Sequence, residues 1–208
     1  MSRPPPVQTK RAHALALLGK RGMTRLLEFR EVGITAATIS RLEREGQVVR
    51  VARGLYQLTH APLDRQHALA KAAKLIPRGV ICLASALAYH GLIDQMPSQV
   101  WIAIGRKDWR PRLKSPPVRI TRFPDRLLRS GVEQHEIEGS RVSIYGIAKT
   151  IADVFRYRRI VGDSLAVEGL CEALRRGKVT PPEIALHASE SGTWKTIEPY
   201  VTALISDA

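Results

Sequence analysis

Residues 33–58, GITAATISRLEREGQVVRVARGLYQL, constrain the fold of this chain more than any other stretch. The first half predicts a short helix, because Thr35 is a good N-cap and Gly46 can adopt the left-handed conformation that often follows a helix. The second half predicts a β-hairpin, in which Arg53-Gly54 turns the chain between two short strands. We therefore expect a helix followed at once by a β-hairpin.

Two further helices are predicted before this stretch, at 10–20 and at 25–31, the second capped by Thr24. Short helices followed by a hairpin are typical of the winged helix-turn-helix, in which one helix enters the DNA major groove and the hairpin lies along the backbone. We expect such a domain at 10–60, after a flexible tail at 1–9 that contains three consecutive prolines.

The remainder, residues 61–208, predicts a second domain that contains both strands and helices. Strand patterns occur at 99–104, 118–123, 132–137 and 141–145, and helical patterns dominate from residue 147 onward. Asp64 is predicted to cap a helix that ends near Leu75, and Thr180 to begin a later one. The fold class is therefore α+β: an N-terminal winged helix-turn-helix, then an α+β domain with a small sheet and C-terminal helices.

The net charge of +14 comes from 33 Lys and Arg against 19 Asp and Glu, and it is unevenly distributed. Residues 1–60 carry 11 basic and 4 acidic side chains, a net charge of +7. Residues 61–130 carry 13 and 4, which is +9, and residues 131–208 carry 9 and 11, which is −2. Such a balance favours polyanionic partners for the first two thirds, the alternative being a basic protein with no such partner.

Cysteine usage and hydropathy indicate a cytoplasmic protein without a membrane partner. Cys82 and Cys171 are far apart in apolar surroundings, which predicts reduced thiols rather than a disulfide framework. The N-terminal sequence lacks the apolar core of a signal peptide, and no apolar run is long enough to cross a bilayer.

The polar face of the predicted helix and the hairpin carry the candidate DNA contacts. Arginine can read guanine through two hydrogen bonds, and threonine and serine contact phosphates or a thymine methyl group. The helix N-terminus offers free N–H groups to a phosphate, and hairpin arginines suit the backbone or the minor groove. The candidate DNA-binding residues are Thr35, Thr38, Ser40, Arg41, Arg44, Arg50 and Arg53. The alternatives are ordinary solvated arginines and a winged domain that binds protein.

Four segments together resemble one family: RLEREGQVVRVARGLYQL at 41–58, LASALAYHGL at 83–92, VWIAI at 100–104 and YGIAKTIADVFRYRR at 145–159. In this order they are similar to the AbiEi antitoxins of bacterial type IV toxin–antitoxin systems, over roughly residues 10–180. The resemblance implies a winged domain that binds repeats in its own promoter and represses it. It also implies a C-terminal antitoxin domain that counters a nucleotidyltransferase-like toxin without forming a stable complex with it. The toxin would be encoded by the neighbouring gene.

Binding to inverted repeats would need two copies of the chain on one DNA site. The chain could be a monomer in solution and pair only on DNA. Two other functions remain open from the residues. One is a stand-alone transcriptional regulator without a toxin. The other is a nucleic-acid-processing enzyme that the winged domain targets to its substrate.

A second basic cluster consists of Arg106, Lys107, Trp109, Arg110, Arg112 and Lys114. An aromatic side chain among cations can stack on a nucleic-acid base. The cluster is therefore interpreted as a contact with DNA beside the operator, or as a surface that touches RNA or the toxin's substrate. The alternative is a flexible charged loop with Trp109 tucked in.

We expect no catalytic residues, no metal and no cofactor. The chain contains no H-x-H, H-E-x-x-H, P-loop or G-x-S-x-G motif. Asp153 is interpreted as the partner of Arg156 and Arg158 in a structural ion pair. His90 is interpreted as a helix C-terminal residue whose positive charge suits the helix dipole.

Overall fold

A computed structural model describes residues 9–62, 66–113 and 115–206. These residues form eleven helices and eight strands, the strands lying in two sheets, which confirms the α+β class. The chain divides into two compact units, Met1–Lys74 with Glu136–Arg141, and Leu75–His135 with Val142–Ala208. The first unit thus continues past residue 60, and the functional boundary at that residue stays a prediction.

The first unit has the predicted order of helices followed by a hairpin. Its elements are α1 (Lys10–Arg21), β1 (Thr24–Arg25), α2 (Leu26–Glu31), α3 (Ala36–Arg44), β2 (Val48–Ala52), β3 (Leu55–Leu58) and α4 (His67–Leu75). The strands form an antiparallel sheet in the order β1-β3-β2, and we call the β2–β3 hairpin the wing. The predicted cap of α4, Asp64, lies outside the described residues.

The core of this unit joins α1, α2, α3 and the wing. Its buried side chains are Ala14, Leu18, Phe29, Ile34, Ile39, Leu42, Val48 and Tyr56. In the sequence Val49 and Val51 alternate with Arg50, which predicts that they share the apolar face of a strand. This prediction is wrong, because Val48 is the buried valine and Val49 is exposed. A register shift between Arg50 and Ala52 accompanies this change of face.

The predicted cap at Thr24 is also wrong. Thr24 lies in β1, pairs with Tyr56 of β3 and is fully buried. Helix α2 begins two residues later, and the Glu28 carboxylate accepts the Arg25 N–H at 2.7 Å. Because Thr24 pairs with β3, it lies outside the helix. A strand of two residues is too short to show a periodicity in the sequence, so the sequence does not predict this strand.

The segment Glu136–Arg141 lies against the end of α1 in this unit. A Cβ on Gly139 would lie 2.4 Å from the Lys20 carbonyl oxygen, and the φ of Gly139 is +68°. The Ser140 hydroxyl donates to the Arg21 carbonyl at 3.2 Å. Only glycine therefore fits position 139 without displacing the backbone of α1.

The second unit combines a five-stranded mixed sheet with helices. Its elements are β4 (Val80–Ile81), α5 (Leu83–Tyr89), β5 (Val100–Gly105), β6 (Val118–Phe123), α6 (Asp125–Arg129), β7 (Val132–Ile137), β8 (Ser140–Tyr145), α7 (Ile147–Arg156), α8 (Arg158–Val161), α9 (Asp163–Arg175), α10 (Pro181–Ser191) and α11 (Trp194–Ser206). The strand order is β6-β5-β4-β8-β7. Strands β5 and β6 are parallel, as are β4 and β8, whereas β4 and β5 are antiparallel.

Helix α7 is the centre of this unit. It packs against α5, α9, α10 and α11, and every residue from Lys149 to Phe155 is buried. The predicted start of α10 is confirmed, since the Glu183 carboxylate accepts both the N–H and the hydroxyl of Thr180 at 2.7 Å. Within the described residues, no helix is both long enough and apolar enough to cross a bilayer.

Candidate nucleic-acid interface

Helix α3 presents one side to its own core and the other to solvent. The Thr35 hydroxyl accepts the Thr38 N–H at 3.3 Å, which is the predicted N-cap. Ile39 and Leu42 are buried, as the spacing predicts. The solvent side carries Ala37, Ser40, Arg41 and Arg44, all exposed. Three of the candidate DNA-binding residues, Ser40, Arg41 and Arg44, therefore share one open helix face.

The N-termini of α1 and α3 border one cleft of about 310 Å³. Its lining residues are Lys10, Arg11, Thr35, Ala37, Thr38, Arg41 and Leu42. Three of these are cations, and the positive ends of both helix dipoles lie at their N-termini. A cleft of this composition suits an anionic group such as a phosphate. We call it the α1–α3 cleft.

Sequence reasoning missed Lys10 and Arg11, although both are basic residues at the start of a predicted helix. Only the packing of α1 against α3 brings them beside Thr35 and Arg41. The Arg11 guanidinium also pairs with Glu45 at 2.5 Å. This pair neutralises a carboxylate at the end of α3 that would otherwise repel DNA phosphates.

The wing carries the two remaining candidates, Arg50 and Arg53, and both are exposed. Arg50 Nε donates to the Ala52 carbonyl of the same strand at 3.3 Å. Arg53 is at the predicted turn, where Gly54 has a φ of +69°. Thr38 differs from the other candidates because it is half-buried and its hydroxyl lies 3.1 Å from that of Thr35. Its main structural role is thus in the cap.

The second basic cluster lies in the loop after β5, which we call the Trp109 loop, residues 106–113. Trp109 is 80% exposed, so the alternative that it is tucked in is wrong. The cations Arg106, Lys107, Arg110 and Arg112 are exposed as well, and Lys114 lies outside the described residues. Asp108 closes the loop by accepting the Gly105 N–H at 2.9 Å.

Three histidines that lie far apart in the sequence line one cleft in the second unit. His90, His135 and His187 line this cleft of about 480 Å³ together with Glu133, Glu183 and Lys178. His135 Nε2 lies 3.1 Å from a Glu133 carboxylate oxygen, and His187 Nδ1 lies 3.3 Å from Glu190. Among the described residues there is no group of three or more His, Cys, Asp or Glu side chains arranged to hold a metal.

His90 follows α5 as predicted, but its burial disfavours the positive charge expected for it. Burial lowers the pKa of His90, and the hydrogen bond to Tyr145 opposes this shift. His90 Nε2 donates to the Tyr145 carbonyl at 2.8 Å, a bond that the neutral ring can make with its single N–H. The fold therefore favours the uncharged imidazole at this position.

The predicted ion pair of Asp153 with Arg156 and Arg158 is also wrong. Both Asp153 carboxylate oxygens lie 2.5 Å from Lys149 Nζ, one helical turn earlier in α7. Both side chains are buried, whereas Arg158 pairs with Asp163 at 3.1 Å. Burial raises the pKa of Asp153 to about 6, and Lys149 acts in the opposite direction. Asp153 therefore has a structural role, as the buried partner of Lys149 within α7.

Comparison with known proteins finds a family match within the first unit. Residues 17–59 match the model of a family described as transcriptional regulator, AbiEi antitoxin. The AbiEi resemblance is confirmed there. The AbiEi match runs from within α1 to the residue after β3, so it includes α3 and the wing. The later segments that carried the resemblance, from residue 83 onward, lie outside the matched residues.

The complete fold also has a counterpart among solved structures. The crystal structure of the RV2827C protein from Mycobacterium tuberculosis is similar with a TM-score of 0.60 at 13% sequence identity. The alignment covers 94% of this chain and 77% of that one. At this identity the likeness concerns the fold alone. Among curated proteins, none shows significant similarity to this chain.

Proposed function

We propose that this protein is a DNA-binding antitoxin that represses its own toxin–antitoxin promoter. The first unit binds inverted repeats in that promoter, and residues 61–208 counter a nucleotidyltransferase-like toxin without a stable complex. The observation that carries the proposal is the α1–α3 cleft, which adjoins the open face of α3 through Arg41. The protein would act in the cytoplasm, and neither role requires a catalytic residue, a metal or a cofactor.

The cleft and the helix face have different tasks in this proposal. A DNA phosphate enters the α1–α3 cleft, where Lys10 supplies charge and the N-terminus of α3 supplies backbone N–H donors. This contact orients α3 in the major groove, where Arg41, Ser40 and Arg44 reach base edges. The wing arginines contact the neighbouring backbone or minor groove. The proposed contact set is Thr35, Thr38, Ser40, Arg41, Arg44, Arg50 and Arg53, extended by Lys10 and Arg11.

Mobility shifts with the DNA upstream of the gene, against scrambled DNA of equal length, test the repressor function. We expect preference for the upstream DNA at about 50 mM and at about 200 mM salt, because base contacts persist when phosphate contacts weaken. Arg41→Ala should weaken specific binding by about 10- to 100-fold. Arg159→Ala is the matched control, since it removes an equal charge from an exposed position in the second unit. Equal binding to both DNAs would contradict the proposal.

Lys10→Ala separates the phosphate contact from base reading. It should weaken binding to both DNAs alike and reduce the slope of log K against log salt by about 0.9. Arg41→Ala should instead reduce the preference between the two DNAs. If Lys10→Ala changed the preference but left the salt dependence unaltered, the assignment of the cleft to a phosphate would be wrong.

Antitoxin activity is tested by co-expression with a neighbouring gene for a nucleotidyltransferase-like protein. We expect the chain to restore growth, and Arg41→Ala to restore it equally, because this function belongs to residues 61–208. Specific promoter binding without any such rescue would favour the stand-alone regulator. Turnover of nucleic acid by the purified chain, retained in Arg41→Ala, would favour the enzyme.

A further inference from the structure

The Trp109 loop exposes an aromatic side chain that the fold itself does not use. Trp109 is 80% exposed, whereas Trp101 in the adjoining strand β5 is 6% exposed. The Trp101 ring is also covered by the Arg119 guanidinium, whose carbon lies 4.2 Å from the ring centre. An indole left in water while its neighbour is covered indicates a surface that a ligand contacts.

The charges around Trp109 point to an anionic ligand. Arg106, Lys107, Arg110 and Arg112 are all exposed in the same loop. The loop's acidic residue, Asp108, accepts the Gly105 N–H and lies 3.7 Å from Arg78. The Asp108 carboxylate is therefore engaged within the protein, where its bond to the Gly105 N–H closes the loop. The positive charge of the loop remains available to a ligand.

A groove beside the loop combines apolar side chains with two arginines. It has a volume of about 310 Å³ and is lined by Arg110, Pro111, Arg112, Leu113, Val118 and Ile120. Val118 and Ile120 are two residues apart in β6, so they face the same side of that strand. Strand β6 forms one edge of the five-stranded sheet. The volume is at the low end for small-molecule sites, which span about 300–1,000 Å³.

We propose that the Trp109 loop and this groove bind unpaired nucleotides of a single-stranded nucleic acid. An exposed indole stacks on the face of a base, and duplex bases already stack on one another, so an unpaired base is the fitting partner. The loop arginines contact the phosphates on either side of that base. The groove accommodates a neighbouring base or sugar against Val118 and Ile120. This inference is independent of operator binding by the first unit.

Fluorescence of the intact chain tests the proposal. Experiments use Arg41→Ala as the background, so that binding through α3 is reduced, with labelled single strands of DNA and RNA of about ten nucleotides. Stacking on Trp109 should quench tryptophan emission to saturation. Trp109→Ala should abolish this quenching and weaken binding, measured by anisotropy, by about 10-fold. Trp109→Phe should retain most of the affinity, because a phenyl ring can still stack.

Two controls make the result specific. Trp194→Phe removes a half-buried indole of the same unit and should leave both quenching and affinity unchanged. Arg110→Ala should weaken binding and reduce the slope of log K against log salt. The control Arg159→Ala, which removes the same charge elsewhere, should change neither quantity. Failure of single strands to quench, or equal affinity of single strands and a blunt-ended duplex of two separate strands, would overturn the proposal. Equal affinity in Trp109→Ala would do so as well.

Discussion

At the scale of single residues, His90 connects the histidine-lined cleft to the stability of the second unit. Its pKa is lowered by burial below the ordinary value of about 6.5. In the interval just below pH 6.5 the unfolded chain therefore binds more protons than the folded one, so stability falls as pH falls. His90→Gln should reduce this dependence, because glutamine can donate to the Tyr145 carbonyl but does not titrate.

Urea unfolding at about pH 7.5 and about pH 5.5 measures this effect. The difference between the two unfolding free energies should be smaller in His90→Gln than in the natural chain. An equal difference in the two proteins would mean that His90 titrates normally in the fold. The same comparison tests whether burial of His90 keeps the ring neutral.

Gly139 is a second position where one residue decides local packing. Gly139→Ala should lower the unfolding free energy by about 2–3 kcal/mol, through a left-handed φ and a clash with the Lys20 carbonyl. Gly33→Ala is the matched control, because Gly33 has a φ of +77° and nothing within 4 Å of its Cβ position. It should cost about 1 kcal/mol, which is the conformational strain alone. Equal losses in both variants would show that the clash is relieved by small movements.

At the scale of elements, α7 contains the buried charge pair Lys149–Asp153 at a place where two apolar side chains could also pack. Lys149→Met alone should destabilise the protein by about 3–5 kcal/mol, because it leaves the Asp153 carboxyl buried without its partner. Lys149→Met with Asp153→Leu should recover most of this loss, since both buried charges are gone. Arg175→Ala, which breaks the exposed pair with Glu172, should change stability little. Urea denaturation of the three variants measures their stabilities. If the double variant were the least stable, the buried Lys149–Asp153 pair could not be replaced by an apolar pair, contrary to this prediction.

At the scale of the whole molecule, the proposed repressor function predicts a change of stoichiometry on DNA. The free chain should sediment as a monomer of 23.1 kDa, and two copies should bind a promoter fragment with both inverted repeats. Removing one repeat should leave one copy bound. A stable dimer without DNA, or one copy on the complete site, would contradict this arrangement. Sedimentation of labelled DNA with and without protein measures it directly.

Much of the first unit was predictable from sequence. The cap at Thr35, the turn at Arg53-Gly54 and the buried Ile39 and Leu42 follow from signals within one element. Sequence also predicted the start of α10 and the strand at β6. Such signals are local: a capping side chain, a glycine or an apolar period acts on residues a few positions away. The candidate contacts on α3 were therefore accessible to sequence, although their binding to DNA stays a prediction.

Sequence by itself determined the fold class, the helix that exposes Arg41 and the concentration of positive charge in the first two thirds of the chain. Only the tertiary structure decided which side chains share a cleft. It brought Lys10 to Thr35, gathered three histidines, buried the Lys149–Asp153 pair and left Trp109 in solvent. The physical reason is that burial and most of these contacts depend on packing between elements, which local periodicity does not encode.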